Sequence, residues 1–405
     1  MSGIREYKKE KLKREPKSKS DSNDEADDFG KRLREHNLRR FIIIAALIIA
    51  AVAIIVILVI RIVANSYNGY VVEDYVRRTD SGYAVYMKNT GGYVKFSKDG
   101  AAAFTFDGKA KWNKTYEVND MAVDQCGNYY AVANVGGNEI HVFNQDGFVS
   151  SINTALPIVK IEVSEQGLVV AILEDKEADY INMYNKDGSK IYTIKTTAVS
   201  DGIPVDLGVS KDGEKLGVSF TSIKGMDLST SVDFYNFSVV GQNENERIVG
   251  GFNTYGNQLV GEVEFINNTA VVAVGENVIS FFTVKEYPKH INNIEVTEQI
   301  DSIFYSDSRF AYVYTGENGH KNICVYTASG EWIYTKEVSP DYSKYTFTES
   351  GLMAYGKDKF ILLNDKGNVL MEDEFEDDIT QIINVGNNKE YVFVSPDKIY
   401  KVKLK

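Results

Sequence analysis

Glu139–Gly147 reads EIHVFNQDG, in which apolar residues are interleaved with polar ones before three polar residues lead into a glycine. Alternation at a period of two is the pattern of a half-buried strand. A polar run ending in glycine makes a tight turn, because glycine accepts positive φ at little cost. The same phrase returns as YINMYNKDG (Tyr180–Gly188), NICVYTASG (Asn322–Gly330) and KFILLNDKG (Lys359–Gly367), and in shorter form as Phe106-Asp107-Gly108. KEYVFVSPD (Lys389–Asp397) repeats the strand portion. Glycines 108, 147 and 188 are spaced by 39 and 41 residues, and 330 and 367 by 37. The 142 residues from 188 to 330 hold three further periods, with residues 225–257 reading as an insertion. Several short strands at a period of roughly 40–45 are the mark of propeller blades.

Blades are expected to start near residues 81, 119, 158, 203, 259, 299, 344 and 379, which makes eight, or seven if residues 81–118 are divided differently. The last unit holds three strands, TQIINV, EYVFVS and KIYKVKL. Its fourth is expected from Tyr70–Arg78, which would close the ring. The fold class is therefore all-β: a WD40-like or quinoprotein-like β-propeller over residues 65–405. A string of sandwiches would need linkers about every hundred residues, and none is visible.

Phe41–Ile60, FIIIAALIIAAVAIIVILVI, carries no charge. Twenty such residues in a helix reach roughly 30 Å, the hydrocarbon thickness of a bilayer. A membrane-inserted signal-anchor helix is expected over residues 41–64. A cleaved signal peptide has a shorter apolar region followed by a small-residue cleavage site, and Ala64-Asn65-Ser66 is a poor one. Residues 1–40 hold 13 Lys+Arg against 9 Asp+Glu, with Lys31, Arg32, Arg34, Arg39 and Arg40 crowding the start of the span. The positive-inside bias places this tail in the cytoplasm and the propeller outside, in a bacterial plasma membrane. SKSDSNDEADD within the tail is low-complexity and cannot bury enough apolar surface to fold, so residues 1–40 read as disordered.

The whole chain carries a formal charge of −12, which argues against nucleic acid as a partner. Cys126 and Cys324 lie four repeats apart, too far for a disulfide, and no histidine is spaced to complete a metal site. Asp99, Asp107, Asp146, Asp187 and Asp212 precede turn glycines. Calcium needs six to eight converging oxygens, whereas each turn supplies one or two, so these aspartates read as turn residues. MEDEFEDD (Met371–Asp378) reads as a solvated outer strand with Phe375 packing inward. His141 reads as a strand residue facing a neighbouring blade, and Trp112 and Trp332 as outer-strand residues packing blade to blade. Neither a G-x-S-x-G elbow nor a phosphate-binding loop occurs, so no catalytic, cofactor-binding or metal residue is assigned and no cofactor is expected.

DGKAKWNKTYE (Asp107–Glu117), VSKDGEKLGVSF (Val209–Phe220) and VDFYNFSVVGQNENERIVGGF (Val232–Phe252) resemble an uncharacterised family of membrane-anchored proteins from Gram-positive anaerobic bacteria, a domain of unknown function. The resemblance spans about residues 80–400 and implies a short cytoplasmic tail, one span and an extracytoplasmic propeller. It implies no substrate and no site residues.

The leading functional expectation is a non-catalytic binding or scaffold protein, with a protein or cell-wall partner on the propeller face. A transmembrane sensor relaying an external ligand to a cytoplasmic partner is the alternative. A propeller enzyme ranks below both, and its sign would be carboxylates and Arg or His converging at the channel mouth with shifted pKa values.

Overall fold

The computed structural model of the chain describes residues 40, 43–44, 46–54, 66–78, 82–385 and 388–405. Two compact units divide it, Met1–Ser66 and Tyr67–Lys405. In the first unit the described residues from 40 to 54 are α-helical and exposed. No helix among the described residues is long and apolar enough to cross a membrane. Residues 1–39 and the rest of the expected 41–64 span lie outside the described residues.

The second unit is a ring of eight four-stranded antiparallel sheets. Within each blade the strands are called A to D from the axis outward. The A strands are Ala84–Asn89, Met121–Cys126, Ile158–Val163, Ile203–Val209, Val260–Phe265, Ile300–Ser306, Lys344–Thr348 and Gln381–Asn384, for blades 1 to 8. These starts fall within three residues of those expected from the period, and the count is eight. In blade 8 the D strand is Tyr70–Arg77, paired antiparallel with Lys398–Leu404 from Tyr70↔Leu404 to Arg77↔Lys398. The start and end of the propeller sequence thus share one sheet. Lys401 reinforces the join, with its ammonium 3.0 Å from Glu73 and 2.9 Å from Asp107 in blade 1.

Residues 225–257 are not an insertion, contrary to the sequence reading. Asp227–Asn236 and Ile248–Phe252 are strands C and D of blade 4. The extra length comes from the B–C hairpin, whose strands Lys215–Lys224 and Asp227–Asn236 have ten residues each, and from two short 3-10 turns over Gly241–Arg247. Serine and threonine at apolar-face positions of DLSTSVDFYN hid the strand.

Blades are held face to face by strands buried on both sides. In Tyr129–Asn134, Tyr130 and Val132 pack against Phe96 of blade 1, while Ala131 and Ala133 pack against Ile161 and Val169 of blade 3. Blade 3 repeats this, with Val169 and Ala171 facing blade 2 and Val170 and Ile172 facing blade 4. Consecutive apolar residues thus serve opposite neighbours, as in any sheet covered on both faces.

The turn glycines have a second role beyond their φ. Gly367 (φ 77°) ends the blade 7 C–D turn, and a Cβ there would lie 2.6 Å from the Tyr334 ring of blade 6. Gly330 (φ 80°) is seated the same way on Phe281 of blade 5. The absent side chain lets the preceding blade's aromatic ring lie against the turn. Trp112 belongs to this system: it stacks on Phe143 of blade 2 at 5.7 Å and donates to the Gln145 carbonyl. Trp332 does not, because it is 63% exposed and its indole donates to Thr335 on its own strand. Its expected blade-to-blade role is corrected accordingly.

Candidate functional site in the central channel

Strand A of a blade lies nearest the axis, so its polar residues meet those of other blades. Four consecutive A strands, in blades 3 to 6, break register with strand B near their start, between Ile158/Lys160, Pro204/Asp206, Val260/Glu262 and Ile300/Ser302. A bulge of this kind re-aims the side chains beyond it. The residues beyond the first three breaks are Lys160, Asp206 and Glu262. Two positions further on lie Glu162 and Glu264, and Asp124 stands on the blade 2 A strand.

These six residues form one electrostatic group. Lys160 hydrogen-bonds Asp206 and lies 3.6 Å from Glu162. Asp124 accepts the Val163 amide of blade 3 at 2.6 Å, and Asp206 accepts the Val263 amide of blade 5 at 2.7 Å. These two aspartates are latches between adjacent A strands. Glu162 and Glu264 are held differently: Glu162 has its Lys160 contact, and Glu264 interacts with the Tyr305 hydroxyl of blade 6.

Burial raises both glutamates well above the ordinary carboxylate range, and the neighbouring Asp124 adds to it. Asp124, Asp206 and Glu262 are raised too, again chiefly by burial. Burial works against the Lys160 ammonium, yet Asp206 and Glu162 outweigh it and hold Lys160 above the ordinary lysine value. Burial and the Glu264 carboxylate raise the Tyr305 phenol. Five carboxylates therefore share one embedded ammonium. Such a group either retains protons or recruits a cation.

A recess of about 210 Å³ opens onto this group. Asp124, Glu162, Lys211, Glu264, Tyr305 and Asp307 line it, drawn from blades 2 to 6. At its mouth Lys211 bridges Asp307 at 2.5 Å and Glu165 at 3.5 Å. Carboxylates and a lysine with shifted pKa values do converge here, whereas neither Arg nor His lines the recess. Among the described residues no group of His, Cys, Asp and Glu is arranged to hold a metal ion.

None of the residues singled out in the sequence belongs to this site except Cys126, which lines the recess as a thiol that burial pushes up to about 12. Cys126 and Cys324 are both free. The turn aspartates are dispersed and mostly serve their own loops: Asp187 accepts the Ser189 amide, and Asp212 accepts the Glu214 amide. His141 is buried against Tyr116 of blade 1 at 4.7 Å, and its Nδ1 meets Ser151. His36 lies outside the described residues. Phe375 is buried, and the acids on either side of it in Met371–Asp378 are exposed or half-exposed. A signal for the channel group existed in IVKIEV and VGEVEF, two strands that alternate charge with aliphatics. Reading it required knowing that both are innermost strands.

The chain belongs to DUF5711, a family of unknown function whose profile matches residues 63–404. No curated protein matches it. Among solved structures it is similar to Chaetomium thermophilum Sqt1 bound to the N-terminus of the ribosomal protein L10, at TM-score 0.54 and 10% identity, covering 82% of this chain and 99% of that one. The WD40 domain of Neurospora crassa Pan2 matches at TM-score 0.42 and 8% identity over 70% of this chain and 87% of that one. Chaetomium thermophilum Raptor matches at TM-score 0.45 and 11% identity over 84% of this chain, which spans only 28% of Raptor's length. At these identities the likeness is one of fold alone.

Proposed function

We propose that this chain is a single-pass membrane protein of the bacterial envelope whose propeller binds a partner outside the membrane. The apolar stretch 41–60 and the basic residues before it support the anchor and its orientation. The observation that carries the binding role is the recess over Asp124, Glu162 and Glu264, a rigid concavity fed by five blades. Its carboxylates are desolvated and exceed the ammonium available to them, so the partner feature it fits is a cationic side chain, a lysine or arginine of a protein. A cation entering there would favour the charged forms of Glu162 and Glu264, against the burial that raises both.

The experiment is crosslinking in native membranes, comparing the natural chain with Glu162→Gln/Glu264→Gln. Capture of a defined protein through a basic residue, lost in the double variant, is the expected result. Equal capture by both proteins rejects the recess as the binding site. Protease added to intact cells should degrade the propeller, and its survival there rejects the orientation.

One observation favours a second reading. Carboxylates with raised pKa values beside a tyrosine and a lysine are also what acid–base catalysis requires. Turnover of an envelope polymer by the natural chain but not by Glu162→Gln would replace the binding role with an enzymatic one.

A further inference from the structure

Strand D of each blade starts at the end that carries the C–D turn. At or next to that start, six successive blades expose a large apolar side chain. Blades 2 to 7 present Phe148, Ile191, Ile248, Tyr287, Trp332 and Val369 in that order, and Trp332 is the most open of them at 63%. Single exposed apolar residues are ordinary on a protein surface. One at the same place in six adjacent blades makes a belt along one rim.

The chain enters the propeller at this rim. Tyr67 donates its amide to the Leu370 carbonyl at 2.9 Å, next to Val369. Its hydroxyl donates to the Asn388 carbonyl, in the blade 8 A–B turn, at 3.2 Å. Six residues, 61–66, separate Tyr67 from the apolar stretch Phe41–Ile60. Fully extended, they reach roughly 20 Å. Charge divides the two faces in the same sense. Lys109, Lys186, Lys285 and Lys366 stand in the C–D turns of blades 1, 3, 5 and 7, each balanced by one acid of the same turn. The acid-rich runs EDKE (Glu174–Glu177) and EDEFEDD (Glu372–Asp378) lie toward the opposite face, in a B–C loop and at the end of a strand D with its D–A connection.

We propose that the rim bearing the C–D turns rests on the surface of the lipid bilayer that holds the chain, an inference that depends on the membrane anchor proposed above. Trp332 and Tyr287 suit the headgroup level, where the ring meets acyl carbon and the polar edge stays wet. The balanced turns let this face approach the headgroups, whereas the acidic runs of the other face are repelled by anionic lipid. The channel recess opens on the bilayer side as well, because Gly127, Lys211 and Asp307 in its lining belong to A–B turns, which share a face with the C–D turns. The cationic group it accepts therefore approaches from the membrane side.

Trp112 and Trp332 are the only tryptophans in the chain, and Trp112 is packed on Phe143. The test reconstitutes the full-length chain into vesicles of phosphatidylcholine and phosphatidylglycerol whose acyl chains carry bromine close to the headgroup. Indole fluorescence is compared with that in unbrominated vesicles. The natural chain should lose about half of the emission due to Trp332, and Trp332→Phe should remove the effect. Tyr287→Asp/Val369→Asp, in the blades on either side, should reduce it. Trp332→Phe/Val199→Trp moves the reporter to a 99% exposed site in a D–A connection on the opposite face, and should show no quenching. Resistance to alkaline carbonate extraction reports the anchor separately. A chain that resists extraction but keeps Trp332 unquenched overturns the docked rim and leaves the anchor standing. Equal quenching at Val199→Trp overturns it too, and release by carbonate rejects the anchor and the docked rim together.

Discussion

The central channel has two unlike halves. Blades 2 to 5 supply Asp124, Lys160, Glu162, Asp206, Glu262 and Glu264, where charge is buried and acid exceeds base. Blades 6 to 8 and blade 1 contribute most of a second recess of about 570 Å³, lined by Tyr86, Lys88, Thr346, Glu349 and Gln381. There the polar groups are matched. Lys88 lies 3.1 Å from Glu349, and Gln381 bonds both the amide and the carbonyl of Tyr86. The A strands differ in the same sense. Those of blades 1, 7 and 8 pair with their B strands without a break, whereas those of blades 3, 4 and 5 bulge just before Lys160, Asp206 and Glu262. In blades 3 to 5 one extra residue in the innermost strand accompanies the charged wall, whereas blade 6 has the same break with Ser302 beyond it and blade 2 supplies Asp124 without one.

The sharpest way to break this contrast is Lys160→Met. Removing the ammonium leaves Asp206 and Glu162 buried without it and should destabilise the chain by about 3–5 kcal/mol at pH 8. The loss should shrink at pH 5 as those carboxylates take up protons, which urea unfolding at the two pH values will show.

Next comes the pH dependence of the natural chain. A carboxyl raised in the folded state contributes stability that is present at low pH and is lost as pH rises through its folded value. For Glu162 and Glu264 stability should therefore fall as pH climbs above the ordinary carboxylate range. Glu162→Gln/Glu264→Gln should flatten that slope and gain about 2 kcal/mol at pH 8. A steeper slope in the double variant contradicts the assignment. Lys160, also raised in the folded state, adds a loss of stability in the same direction, but only at alkaline pH above its ordinary value.

Asp233 is the comparison outside the channel. Its carboxyl, raised to about 6, should cost stability between pH 4 and 7, and Asp233→Asn should recover roughly 2 kcal/mol at pH 8. The smallest effect belongs to the matched half. Lys88 and Glu349 are each 48% exposed in their side chains, so Lys88→Met should cost less than about 1 kcal/mol. A loss there equal to that of Lys160→Met would erase the distinction between the halves.

The ring was legible because glycine marks its turns. Gly108, Gly147, Gly188, Gly330 and Gly367 all lie at C–D turns, and their spacing counts the blades. Closure by Tyr70–Arg77 was legible because the last unit lacked a strand. Blade 4 was misread where Ser229, Thr230 and Ser231 replace the expected aliphatics, although Thr230 is buried. The channel group escaped for a different reason. Lys160, Asp206 and Glu262 are separated by about one repeat each, and only the bulges and the ring bring them together. Trp332 was misjudged because an outer strand has one wet face, and alternation alone does not say which residues take it.

The sharing of blade 8 between Tyr70–Arg77 and Lys398–Leu404 makes assembly conditional on both segments being present. A nascent polypeptide lacking its final strand offers Tyr70–Arg77 no edge to grip and leaves Tyr391 and Phe393, both sealed in the mature ring, open to water. The clasp between these two segments therefore seals the aromatic interior of blade 8 at the same time as it shuts the circle.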